Sequence, residues 1–122
     1  MKFYLDLGDS TYQIQRVDKH SVTINEKVYT DSIIVMPEYL SDWAVESFEM
    51  LEEAHFQALS ALRPEVVLLG TGQKIRFPAP ALLASLTNEG IGVEVMNTQA
   101  ACRTYMILMA EGRAVAAALL FK

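Results

Sequence analysis

Cysteine is nearly absent from this sequence: Cys102 is the single one in 122 residues. An intrachain disulfide is thereby excluded, and with it the stapled secretory scaffold. With two histidines beside it, the chain lacks the four Cys/His ligands of a structural zinc site. Positive charge is also scarce. Ten Lys and Arg stand against fifteen Asp and Glu, for a net charge of −5, which supplies no basic surface for nucleic acid or for an anionic membrane. No apolar run approaches the roughly 20 residues of a membrane-spanning helix. The N-terminal segment carries Asp6 and Asp9 within its short apolar patch and reads as neither signal nor transit peptide, so the expectation is a cytoplasmic protein. Repeats, low-complexity tracts and Gly/Ser linkers are missing, and the length suits one domain over residues 1–122.

Apolar residues, by contrast, are plentiful at 52%, with a mean hydropathy of +0.20. Either a central sheet covered on both faces or an extra buried surface, such as a subunit contact, accounts for this. The order of elements favours the first. Tyr12, Ile14, Val17, Val22 and Ile24 alternate with polar residues, the pattern of half-buried strands, and Asn25-Glu26 is placed to turn a hairpin into Lys27–Thr30. Ser32–Met36 reads as a more buried strand stopped by Pro37. Ser41-Asp42-Trp43 reads as a turn, while Val45, Phe48 and Leu51 recur at helical spacing. Leu51, Ala54, Ala58, Leu59 and Leu62 mark one face of a helix over 52–62 that Pro64 closes. Val66–Leu69 is an unbroken apolar run, as a strand buried on both sides requires. A helix over 80–89, a strand at Ile91–Met96, a helix over 98–111 capped by Thr98, and a strand at Ala114–Phe121 complete an alternating α/β order.

The candidate site is the loop Gly70–Phe77. Gly70-Thr71-Gly72 follows the buried strand and precedes a helix, where open α/β sheets place ligands, and glycines let backbone amides approach an anion. Lys74 and Arg76 bring positive charge to it. The loop matches neither standard phosphate fingerprint. Ile75 stands where a dinucleotide loop needs its third glycine, and the Gly-Lys-Ser/Thr of a Walker loop is missing. A tight turn using glycine for backbone reasons alone is the competing reading. Arg103 lies about 200° around its helix from Ala101 and Tyr105, free to hold an anion, anchor a partner or pair with Glu111. Cys102 sits among apolar helical residues with no base spaced to activate it, which marks it as packing rather than nucleophile. Glu46, Glu49, Glu52 and Glu53 lack a helix-spaced histidine and read as a solvated face. No catalytic residue, cofactor or metal is implied.

Several motifs together resemble the Mth938-like (DUF498) family, to which mitochondrial respiratory complex I assembly factors are related. They are the Gly70-Thr71-Gly72 loop ending in Phe77-Pro78, Gly90-Ile91-Gly92-Val93, Thr98, Ala100-Ala101-Cys102-Arg103-Thr104-Tyr105 and Glu111-Gly112-Arg113. Met106 departs from the pattern, since relatives commonly carry Asn there. The resemblance implies a three-layer α/β domain with a mixed central sheet, helices on its faces and extra N-terminal β-strands. It also implies a short extended segment before a helix that starts near Glu52. For the mitochondrial branch it implies a non-catalytic assembly role. The apolar excess and the Arg103 helix suit a non-catalytic interaction or assembly module that binds a protein partner or forms a homo-oligomer. The alternative is a small anionic-ligand-binding protein or enzyme using Gly70, Thr71, Gly72, Lys74, Arg76 and Arg103.

Overall fold

The structure, a computed structural model, describes residues 11–122; the leader question falls on residues outside that range. Strands β1 (Ile14–Val17), β2 (Val22–Ile24) and β3 (Lys27–Tyr29) form a small antiparallel sheet in that order. The expected hairpin is present, with Ile24 opposite Lys27. Its two turn residues, Asn25 and Glu26, have φ of 47° and 72°, the handedness that a two-residue hairpin demands. Glutamate is a poor occupant of that region. Two bonds hold it there: the Glu26 N–H donates to Gln15 Oε1 at 2.6 Å, and Asn25 Oδ1 accepts from the Gln13 N–H at 2.9 Å.

The remaining strands are β4 (Ile33–Met36), β5 (Tyr39–Asp42), β6 (Val66–Thr71), β7 (Gly92–Met96) and β8 (Val115–Leu120). They form a second sheet in the order β5-β4-β8-β6-β7. It is mixed: β4 runs antiparallel to β5 and β8, whereas β6 runs parallel to β7 and β8. Every residue of β6 and β8 is buried, because both sheet faces are covered. On one face Val66, Leu68, Ala117 and Leu119 meet the small sheet and helix α3 (Thr98–Ala110). On the other, Val67, Leu69, Ala118 and Leu120 meet Trp43, Leu86 and helix α1 (Glu53–Ser60). These are the three layers expected, with the N-terminal strands contributing a sheet of their own.

Four local expectations are corrected. Ser41 and Asp42 do not turn the chain; they pair with Ile34 and Ile33 in β5, the turn having been made earlier at Pro37-Glu38. The helical spacing of Val45, Phe48 and Leu51 yields only a single 3-10 turn at Phe48–Met50, whereas the resemblance rightly implies that the helix starts near Glu52. Ala54 and Ala58 face solvent, since Phe56 and Leu59 carry the buried face of α1; the larger apolar area of Phe56 sets the rotation of the helix. Finally, the helix over 80–89 is a 3-10 turn at Pro80–Leu83 running into a four-residue α2 (Ala84–Thr87).

Candidate functional site

The site is built where β6 leaves the sheet. Gly70 is required by close approach: a Cβ there would lie 3.0 Å from both Cα and Oγ1 of Thr98 and 3.1 Å from Leu119 Cδ2. Its absence lets the start of α3 rest against the sheet. Gly72 then reverses the chain at φ +93°, a conformation that side chains disfavour. Its N–H donates to Thr98 Oγ1 at 2.8 Å, and its carbonyl accepts from the Thr98 N–H at 2.9 Å. The Thr98 hydroxyl donates onward to Leu120 O on β8. Thr98 is therefore a buried clasp and not the helix cap expected for it. The cap is Asn97, whose Oδ1 accepts from the Ala100 N–H at 2.8 Å; an amide side chain one residue earlier has the reach that N-capping needs.

Beyond Gly72 the loop closes on itself. Thr71 Oγ1 donates to Lys74 O at 2.6 Å and accepts from the Arg76 N–H at 3.0 Å. The Arg76 guanidinium pairs with Glu49 Oε1 at 2.7 Å, donates to Thr71 O at 3.2 Å, and stacks with its carbon 4.5 Å from the Phe48 ring centroid. Glu49 is held below the usual carboxylate range, first by a backbone hydrogen bond and then by the Arg76 charge, against the desolvation of the site. With Thr71 and Arg76 committed to these bonds, the loop also turns apolar groups outward. Phe77 is 72% exposed and Ile75 51%, and Met50, next to Glu49 on the Phe48–Met50 turn, is 59% exposed.

Strand β6 leads to α2 on one face of the sheet, and β7 leads to α3 on the other. Their carboxyl ends consequently flank a switch-point crevice. A cleft of about 380 Å³ lies there, lined by Asp18, Lys19, Gly72, Gln73, Asn97 and Gln99 among others. A second opening of about 390 Å³ lies between Phe48, Glu49, Arg76, Phe77 and Leu82. The six expected residues are thus divided. Gly70 and Thr71 are buried, Gly72 borders the first cleft and Arg76 the second. Lys74 is exposed, and Arg103 projects from the solvent side of α3, bordering neither. Nothing in the sequence tied Glu49, Phe48 or Lys19 to the loop, from which they are distant along the chain; Glu49, read as part of a solvated face, pairs with Arg76 instead.

The titratable groups near the core are occupied structurally. Burial pushes the Cys102 thiol up to about 12, with Arg103 opposing weakly, so thiolate is scarce at neutral pH. Burial likewise raises Tyr105, whose hydroxyl donates to Tyr12 O at 2.7 Å. Met106 is buried and its sulfur accepts from the Ile14 N–H at 3.2 Å. His55 serves the α1 cap: Nδ1 accepts from the Glu52 N–H at 2.9 Å, which leaves Nε2 to donate to Ala44 O at 3.0 Å. Trp43 packs edge-on to His55 and Phe56 and donates to His55 O at 3.3 Å. Among the described residues, no three His, Cys, Asp or Glu side chains cluster to hold a metal ion. No helix among them is long and apolar enough to cross a membrane.

Residues 14–120 match the family model described as a protein of unknown function, DUF498/DUF598. The chain belongs to the DUF498/DUF598 family. Mouse NADH dehydrogenase (ubiquinone) 1 alpha subcomplex assembly factor 3 is 31% identical over 130 residues, covering 92% of this chain and 70% of the mouse protein. The chain spans only about half the length of other relatives of the same name. Among solved structures, a Xanthomonas campestris protein superposes with a TM-score of 0.82 at 41% identity, over 98% of this chain and 91% of that one. A Bordetella pertussis protein described as a Mth938-like domain gives 0.83 at 30% identity, over 98% and 92%. The DUF498 fold is thereby shown to be Mth938-like, as the motifs imply.

Proposed function

We propose that this DUF498 chain is a non-catalytic interaction module serving the assembly of a multi-subunit complex, with the Gly70–Phe77 loop as its contact surface. The observation that carries this is the outward display of Phe77, Ile75 and Met50 around the stacked Phe48–Arg76–Glu49 unit. A rigid loop presenting aromatic and aliphatic anchors, with an arginine fixed beneath them, has the composition of an interface hot spot. The mouse relative, an NADH dehydrogenase assembly factor by name, supports a partner of that kind. Exposed Lys74 and Arg103 supply charge outside the apolar patch. Anion binding by the loop would compete with bonds that Thr71, Gly72 and Arg76 already make, whereas protein contact leaves those bonds in place.

The test is co-purification from the native host with the full chain and with Phe77→Ser. The variant changes an exposed side chain and keeps its melting temperature. The expected result is a near-stoichiometric protein retained by the unaltered chain and lost by the variant. Equal retention by both, or a bound metabolite without any protein, would overturn the reading.

A further inference from the structure

A second surface, independent of the Phe77 loop, lies at the end of the central sheet. Strand β7 pairs with β6 and has no neighbour on its other side among the described residues. The Gly92 N–H donates to Glu65 O at 3.1 Å, so Gly92, Glu94 and Met96 direct their backbone groups toward β6. Strand geometry alternates, and Val93 and Val95 direct theirs away from the sheet. We infer that this edge accepts an extended, basic segment of a partner protein as a sixth strand, by main-chain pairing with Val93 and Val95.

Three features of β7 define that occupant. First, the edge carries no proline and its register with β6 is unbroken, so neither a missing donor nor a bulge opposes strand addition. Second, the Val93 and Val95 side chains are half-buried with Leu82 and Leu83 on the α2 face. Apolar residues of an added strand would extend that face. Third, the single charge on β7 is Glu94, exposed on the α3 face, where α3 packs chiefly over β6 and β8. A Lys or Arg on the added strand would meet it.

The same glutamate argues against a second copy of this chain. Two β7 strands paired antiparallel through Val93 and Val95 would set Glu94 opposite Glu94 in the closely spaced, non-hydrogen-bonded position. There like charges oppose pairing. The net charge of −5 adds attraction for a basic partner at longer range. Alternate apolar and basic residues in extended conformation are therefore the chemistry that fits, with main-chain bonds giving affinity and Glu94 giving selectivity.

The probe is a capped seven-residue peptide, Lys-Val-Lys-Val-Lys-Val-Lys, added to the isotope-labelled full chain and followed by amide exchange. Saturating peptide should slow the Val93 and Val95 amides by about tenfold or more and leave the β5 edge, Tyr39–Asp42, unchanged. A Glu-Val analogue should not protect wild-type protein. Glu94→Lys should reverse that preference, and N-methylation of alternate peptide bonds should abolish binding. Phe77→Ser should bind the peptide like wild type, which keeps this outcome separate from the fate of the loop surface. Absence of protection at Val93 and Val95, protection at β5 instead, or a peptide preference that Glu94→Lys leaves unaltered would overturn the inference.

Discussion

Thr98→Val isolates the clasp between the loop and the sheet, because it replaces a hydroxyl by a methyl in a side chain of almost the same volume. Thr98 is buried, and its Oγ1 accepts from the Gly72 N–H and donates to Leu120 O. Valine satisfies neither group. An unpaired buried donor or acceptor costs about 1–3 kcal/mol. The Leu120 carbonyl keeps its position in the β6–β8 pairing, so most of the loss falls on the Gly72 amide. A destabilisation of about 2–3 kcal/mol follows, equivalent to roughly 10 °C in Tm for a chain of this size. Thr98→Ser retains the hydroxyl and should cost only about 1 kcal/mol for the lost methyl. Urea unfolding of the three proteins checks both figures, with an unchanged m value showing that the transition still exposes the same surface. If Thr98→Val lies within about 0.5 kcal/mol of wild type, or if Thr98→Ser is equally damaging, the clasp does not hold the loop.

Other substitutions test the same region and its surroundings. Gly70→Ala forces a methyl against the Thr98 backbone at 3.0 Å and should cost about 1–3 kcal/mol by overpacking, seen as a lower urea midpoint. A Cβ at Gly72 would meet only Arg76 Nη2, at an ordinary contact distance of 3.8 Å, so the cost of Gly72→Ala, about 1–2 kcal/mol, is backbone strain; Gly72→Asn, more tolerant of positive φ, should recover part of it. Burial raises the Cys102 thiol from an ordinary value of 9.0 to about 12 in the folded state. The neutral thiol therefore stabilises the fold below about pH 9, and that contribution is lost as pH rises from 9 toward 12. Cys102→Ala should flatten the alkaline decline in stability without abolishing it, since Tyr105 is raised in the same direction. At neutral pH Cys102→Ala should cost about 1 kcal/mol, and thiol labelling of the native wild type should be slow.

Where one chain segment decides its own environment, the sequence was readable. Four consecutive apolar residues at Val66–Leu69 can be accommodated only between two covered faces, and β6 is buried throughout. Asn25-Glu26 turned the hairpin as read, although glycine is absent, because Gln13, just before β1, and Gln15, on it, supply the bonds that hold it. The failures share a different origin. Ala54 and Ala58 satisfied the helical period but lost the core to Phe56, since periodicity locates a face while buried area selects it. Thr98 carried a proper capping side chain but is the first residue of the helix, one place past the cap at Asn97. Two groups distant along the chain, the Gly72 amide just beyond β6 and the Leu120 carbonyl on β8, claimed its hydroxyl instead.

The loop shows how long-range bonds redistribute the groups that a sequence presents together. Gly70, Thr71, Gly72 and Arg76 read as anion-binding groups because each has donors and no partner nearby in sequence. Arg76 finds Glu49, 27 residues earlier, and Phe48 beside it; Gly72 finds Thr98, 26 residues later. Those long-range bonds change what the loop can offer. A guanidinium paired at 2.7 Å and stacked on a ring would have to give up charge-assisted and cation–π contacts to take a new anion. Ile75 and Phe77 gain no such partner, and apolar groups left outward by a fixed backbone lower their free energy only when another surface covers them. The same bonds that withdraw the loop's donors thus rigidify the platform on which Phe77 stands, which reduces the ordering cost of docking there. Glu49→Gln with Arg76→Met should accordingly weaken partner capture through loss of that rigidity, while Lys74→Ala, on the exposed rim, should leave it nearly unchanged. Equal losses from both would mean that the loop binds through its charge and not through its apolar face.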